Sequence, residues 1–183
     1  MLRLTGGEWR GRRLEVPDGI RPTTELARKA AFDILGDAIE GARVLDACAG
    51  SGAYGLEALS RGAARATFVE SNRGVAETLR GNIERLGAGA RAVVYEMSVA
   101  RFSLKGEETA PRAEPRPGSF DVIFHDPPFE AKSESDLRSL LPLVSPGGWL
   151  FHERGDDLVL TPGGLEPADQ RRYGTTRFLV FRP

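Results

Sequence analysis

The stretch "VLDACAGSGAYGLEAL", residues 44–59, decides the fold. A short apolar run ends in Asp46, three glycines follow as G-x-G-x-x-G at Gly50, Gly52 and Gly55, and an apolar segment of helical length comes next. Glycine is used where the chain turns tightly, where a ligand nears the backbone, and where the next helix must start without a side chain in the way. The stretch therefore reads as strand, glycine loop, helix.

Downstream the same alternation repeats. "ATFVES" (66–71) is a second strand and "GVAETLRGNIERLG" (74–87) a helix with Val75, Leu79, Ile83 and Leu86 on one face. "ARAVVYEM" (90–97), "FDVIFH" (120–125) and "GGWLFHE" (147–153) supply three more strands, with "SDLRSLLPLV" (135–144) as the helix between the last two. Strands alternating with helices predict an α/β fold, a mostly parallel sheet covered on both faces. The final apolar run, Phe178 to Phe181, has no helix before it and pairs with "QRRY" as an antiparallel edge hairpin, which makes seven strands.

Upstream, "LRLTGGEWRGRRLEV" (2–16) alternates around Gly6-Gly7 as a basic β-hairpin. In "RPTTELARKAAFDILGDAI" (21–39), Thr23 or Thr24 caps a helix whose apolar positions are Leu26, Ala30, Ile34 and Ala38, with Gly41 as its stop. Between Met1 and Ala30 seven basic residues face four acidic ones, although the whole chain carries a net charge of −1. That local excess suits contact with phosphates, or a solvated face. With 183 residues one core is expected, residues 1–41 forming an N-terminal addition to a core over 42–183. Cys48 is the single cysteine, and no signal-like or membrane-length apolar segment occurs, so a cytoplasmic, membrane-free protein is expected. Two histidines and one cysteine are too few for a His/Cys metal cluster, and no metal is expected. "KGEETAPRAEPRPGS" (105–119) has three prolines, mixed charge and almost nothing apolar, and reads as a mobile loop.

Two features bear on chemistry. Glu70 ends the second strand about 20 residues beyond the loop, where an acidic side chain takes ribose hydroxyls. On that alone a nicotinamide enzyme stays open. Asp46, four residues ahead of Gly50, instead suits a ligand with a charged amino-acid tail. The corner "FHDPPFE" (124–130) then ends the fourth strand at the carboxyl edge, where open α/β sheets place their ligands. Two prolines lock that corner. The Asp126 carboxylate and the Pro127 carbonyl would accept hydrogen bonds from both N–H groups of an exocyclic base amine, freeing its lone pair for in-line attack on a methyl group. Phe129 would stack on the base. Cys48 reads as packing, as do His125 and His152.

In order, "GGEWRGRRL", "RPTT", "LDACAGSGAYGLEALSRGA", "FVESN", "DPPF" and "RRYGTTR" resemble the RsmD family of S-adenosylmethionine-dependent methyltransferases, over nearly the whole chain. The resemblance implies a Rossmann-like class I methyltransferase that modifies a guanine N2 amine in 16S rRNA, within an assembled small ribosomal subunit, and that works as a monomer. It implies a donor site of Asp46, Ala49, Gly50, Ser51, Gly52 and Gly55, with Glu70 on the ribose and Ser71 and Asn72 near the adenine. Met97 stands where related enzymes offer the adenine a polar group, leaving that contact to the backbone or Ser98. Asp126, Pro127, Pro128 and Phe129 would grip the guanine. Arg3, Trp9, Arg10, Arg12, Arg13, Arg21, Thr23 and Arg28 would hold RNA. Methylation of DNA or of a protein glutamine, and an RNA-binding assembly factor without catalysis, are the alternatives.

Overall fold

The computed structural model describes residues 2–19, 25–104, 116–128, 133–155, 160–173 and 176–183, the side chain of Ser133 excepted. Thr23, Thr24, Arg21, Phe129 and most of the proline-rich segment lie outside these residues.

Strands β1 (Leu2–Arg3) and β2 (Arg13–Leu14) pair antiparallel, and helix α1 (Glu25–Leu35) follows. Then come β3 (Arg43–Ala47), α2 (Ala53–Ser60), β4 (Arg65–Glu70), α3 (Arg73–Arg85), β5 (Ala92–Glu96), α4 (Val99–Leu104) and β6 (Phe120–His125). The chain continues through α5 (Ser133–Leu140), β7 (Val144–Arg154), β8 (Asp169–Tyr173) and β9 (Thr176–Phe181). Seven strands form one sheet in the order β5-β4-β3-β6-β7-β9-β8, parallel from β5 to β7 and antiparallel at β7–β9 and β9–β8. This is the expected α/β Rossmann-like sheet with its antiparallel edge hairpin. Helix α4, just before the proline-rich segment, is an addition to the sequence reading.

Each face of the sheet buries its own apolar cluster. Val44, Phe68, Phe124, Phe151 and Phe178 pack with α1, α2 and α3, while Leu45, Val69, Ile123, Leu150 and Leu179 pack with α4 and α5. Strand alternation produces this division, since successive residues point to opposite faces. The α3 face is as expected: Val75, Leu79, Ile83 and the following Leu86 are all buried.

Helix α1 corrects the sequence reading. Leu26 is 59% exposed and Ala38 lies beyond the helix, which ends at Leu35 before a 3-10 turn at Gly36–Ile39. Of the expected positions Ala30 is buried, and the rest of the buried side is Ala27, Arg28, Ala31, Phe32 and Leu35. Phe32 turns the helix this way: its ring meets Phe124 at 5.4 Å and lies under the Arg61 guanidinium.

The N-terminal hairpin caps another helix. Glu8 N–H donates to the Ser60 carbonyl at 2.7 Å and Trp9 N–H to Ser60 Oγ at 2.8 Å, so the carboxyl end of α2 finds its donors here. Gly7 explains the glycine pair, since a Cβ there would lie 1.7 Å from the Ser60 carbonyl oxygen. Among the described residues no helix is long and apolar enough to cross a membrane.

Candidate active site

The carboxyl ends of β3, β4 and β6 lie side by side, and each delivers one acidic residue. From β3, Asp46 is buried with its carboxylate accepting the Gly55 N–H at 2.8 Å. It therefore points beneath the glycine loop and holds the first turn of α2. Burial pushes its pKa well up, against that hydrogen bond, and the charges of Asp126 and Glu70 push it further. Those two carboxylates are thus close enough to be felt by Asp46.

The loop itself is tightly wound. Cys48, Gly50 and Gly52 all have left-handed φ, at 65°, 55° and 84°. Ala49 N–H donates to the Val69 carbonyl, which fastens the loop to β4. Glu70, at the end of β4, accepts the Gly50 N–H at 3.0 Å on one oxygen and the Asn72 N–H at 2.8 Å on the other. Each carboxylate oxygen accepts more than one donor, so Glu70 keeps acceptor capacity for a ligand's hydroxyls. Ser51 is buried, its carbonyl accepting from Asn82 Nδ2. Burial first, then the charges of Asp136, Glu70, Asp126 and Asp46, drive the Cys48 thiol pKa far up, so it is no thiolate nucleophile.

Several expected donor-site residues have structural work. A Cβ on Gly55 would sit 2.3 Å from the Phe68 ring, so this glycine serves helix–strand packing. Asn72 caps α3, its Oδ1 accepting the Val75 N–H. Ser98 Oγ accepts the Arg101 N–H at the start of α4, and Met97 packs against the Leu45 cluster. Ser71 is exposed beside Glu70.

Asp126 directly follows β6, with Pro127 half-buried and Pro128 exposed. Its charge raises the pKa values of Asp46, Cys48 and Tyr54. Behind it the sequence reading missed two pairs. Tyr54 stacks on Phe124 at 4.5 Å, and its phenol donates to Glu153 at 2.7 Å. On the other face His125 and His152 stack at 4.9 Å, and His125 Nε2 lies 3.7 Å from Asp136 Oδ2, linking β6 to α5 on either side of the corner. A lone Glu in "WLFHER" was the available signal for the first pair.

The expected RNA-contacting set divides. Arg3, Arg10, Arg12 and Arg13 are exposed on the hairpin, with Arg12 also donating to the Arg85 carbonyl. Trp9 is only 7% exposed, under the Arg91 guanidinium, and Arg28 is 0% exposed, 3.2 Å from the equally buried Glu57. Both are corrections: their side chains face the protein, because the hairpin docks through one and α1 through the other. Among the described residues no group of three or more His, Cys, Asp or Glu is arranged to hold a metal.

The family model described as "Conserved hypothetical protein 95" matches residues 2–182. The chain is 40% identical over 154 residues to the ribosomal RNA small subunit methyltransferase D of Escherichia coli K12, covering 83% of this chain and 71% of that protein. Its namesake from Haemophilus influenzae is 38% identical over 188 residues, covering 99% and 93%. Among solved structures, a putative methyltransferase from Escherichia coli superposes with a TM-score of 0.83 at 33% identity, covering 98% and 96%.

Proposed function

From the premise that this chain belongs to the RsmD family, the conserved hypothetical protein 95 family of its matching model, we propose that it methylates the N2 amine of a guanine in 16S rRNA. The donor is S-adenosylmethionine. The observation that carries this reading is the gathering of Asp46, Glu70 and Asp126 around the glycine loop. Three carboxylates suit a donor that carries a sulfonium and an ammonium, and they would repel the pyrophosphate of a dinucleotide. The residues present therefore fit the methyl donor.

When bound, the donor supplies an electrophilic methyl group. Glu70 takes the ribose hydroxyls on its remaining acceptor sites, while the left-handed turns at Gly50 and Gly52 let backbone approach the methionine end. Asp46, from beneath the loop, contributes field more than contact. Asp126 and the Pro127 carbonyl would accept the two amine N–H bonds, orient the lone pair for attack on the methyl group and offset the positive charge that develops on nitrogen, the N–C bond forming as the donor's S–C bond breaks to leave the neutral thioether, with the amine proton lost to water. Phe129, outside the described residues, is the proposed stacking partner of the base. Arg3, Arg10, Arg12 and Arg13, with Arg21 and Thr23 outside the described residues, are proposed to contact RNA. We read residues 1–183 as one methyltransferase domain, a cytoplasmic monomer acting on the assembled small subunit.

The test is transfer from labelled S-adenosylmethionine into unmodified small ribosomal subunits, with the RNA digested to nucleosides. Label is expected in N2-methylguanosine and reduced about 100-fold or more by Asp126→Ala, with donor binding retained. Donor binding without label in any ribosomal RNA would refute the substrate.

A further inference from the structure

One buried amide joins the N-terminal hairpin to the glycine loop. Asn82 lies on the inner side of α3 with Val75, Ala76, Leu79 and Ile83, and is 1% exposed. Its Nδ2 donates to the Ser51 carbonyl in the loop and to the Glu15 carbonyl just after β2, both at 2.9 Å. Its Oδ1 accepts the Glu15 N–H at 2.9 Å and Arg85 Nη2 at 2.6 Å. An amide offers two donors and two acceptor sites, and all four are used. Only this orientation of the group fits, since the Glu15 N–H needs an acceptor and the two carbonyls need donors.

Docking alone does not require an amide here. The hairpin is already held by Glu8 and Trp9 on Ser60, by Thr5 on Glu57 and by burial of Leu2, Leu4 and Leu14. Leu79 supports the loop, since a Cβ on Gly52 would collide with its side chain. Position 82 follows Val75 and Leu79 at the i, i+4, i+7 spacing of an apolar face, so an aliphatic residue would complete it. A satisfied buried amide gains little stability over apolar groups of the same shape. What it adds is specificity: loop and hairpin hold their bonded positions only together. The link also reaches the arm's charge. Arg85 donates to the Glu15 carboxylate at 2.6 Å and its carbonyl accepts Arg12 Nη2 at 3.1 Å, so an arginine proposed to contact RNA stands two hydrogen bonds from the amide.

We propose that Asn82 is a positioning residue that couples the two substrates. Donor seated on the glycine loop fixes the Ser51 carbonyl and, through the amide, fixes Glu15 and the arginines that precede it, so S-adenosylmethionine and RNA each tighten binding of the other. This rests on the reading of the hairpin as the RNA arm and of the loop as the donor site. Coupling of this kind is reciprocal and amounts to about five-fold or more in affinity. Its consequence is that the enzyme holds RNA firmly only when a methyl donor is in place.

The experiment measures binding of unmodified small ribosomal subunits with and without saturating S-adenosylhomocysteine, which occupies the donor site without transferring a methyl group. Wild type is compared with Asn82→Ala and with Asn82→Asp, which keeps acceptor oxygens but cannot donate to Ser51 or Glu15. Ile83→Ala, a neighbouring buried truncation that leaves the amide in place, is the control. Thermal unfolding and direct titration of S-adenosylhomocysteine accompany each protein. The ligand should tighten subunit binding of wild type and of Ile83→Ala by about five-fold or more, and of the Asn82 variants by less than about two-fold. Lost stability does not move this ratio, which compares one folded protein with itself. Wild type that binds both without coupling, or an equal factor in an Asn82 variant that folds, overturns the link while leaving the substrate standing. Loss of coupling in Ile83→Ala as well, or failure of both Asn82 variants to fold or to bind the ligand, overturns it in favour of a structural role. Wild type that binds the ligand but neither binds nor methylates ribosomal RNA overturns the substrate reading, and the link with it.

Discussion

Tyr54 and Glu153, 99 residues apart, meet in a buried 2.7 Å hydrogen bond from the phenol to Oε2 of the carboxylate. Tyr54 lies in the first turn of α2, directly behind the glycine loop, and Glu153 near the end of β7, beside the strand that leads to Asp126. Thr176 donates to the other Glu153 oxygen at 3.3 Å. The pair braces the glycine loop against the corner that carries Asp126, and stacking of Tyr54 on Phe124 fixes the ring between them.

Tyr54→Phe should destabilise the protein by about 1–3 kcal/mol, because it strips a donor from a buried carboxylate. Burial, and then the neighbouring Glu153 charge, holds the phenol pKa well above its usual value. A folded-state pKa that is raised confers stability that is fully present below the unfolded value near 10 and is lost as pH climbs past it. Urea melts at pH 8 and above 10 check both points: the wild type should weaken more steeply than the variant.

Glu57 is the more sensitive partner of the buried ion pair. Its carboxylate accepts from Arg28 and Arg61, and from both the N–H and the hydroxyl of Thr5. Glu57→Ala should cost about 3–5 kcal/mol, since it leaves the Arg28 guanidinium buried without its counter-charge. The double variant Arg28→Leu, Glu57→Leu should recover part of that loss, as measured by chemical denaturation. Equal stability of the single and double variants would show that desolvation of Arg28 is not the cause.

Asp46→Asn should move stability and donor affinity in opposite directions. The amide still accepts the Gly55 N–H but carries no charge to bury. Because the folded pKa of Asp46 is raised, its favourable contribution is complete below the unfolded value near 4 and declines as pH rises through the folded one. The variant should therefore be more stable than wild type at pH 7, with the gap closing toward pH 4. S-adenosylmethionine should bind it about ten-fold more weakly, by calorimetric titration, if the carboxylate field draws in the cationic donor.

Two glycines of one hairpin should respond unequally to alanine. Gly7 and Gly11 both have left-handed φ, 74° and 81°, but only Gly7 faces an obstacle, the Ser60 carbonyl. Gly11→Ala should cost about 1–2 kcal/mol from backbone strain alone. Gly7→Ala should exceed it by about 1–3 kcal/mol, because the hairpin must lift off α2. Thermal unfolding of the two variants in parallel is the check.

Sequence alone determined the order of elements apart from α4, the parallel sheet, the glycine loop and the positions of Glu70 and Asp126. These follow from periodicity and from glycine and proline placement, which act within a few residues and leave their mark in any short window. Tertiary structure decided which charges go inside. Nothing near Arg28 or Trp9 in the chain says that Glu57 and Ser60 wait to receive them, and a basic residue in a basic segment reads as surface until that partner is known. The face of α1 was settled by the Phe124 ring, 92 residues beyond Phe32, and not by the spacing of its own small residues. That Gly55 leaves room for the Phe68 ring was hidden for the same reason.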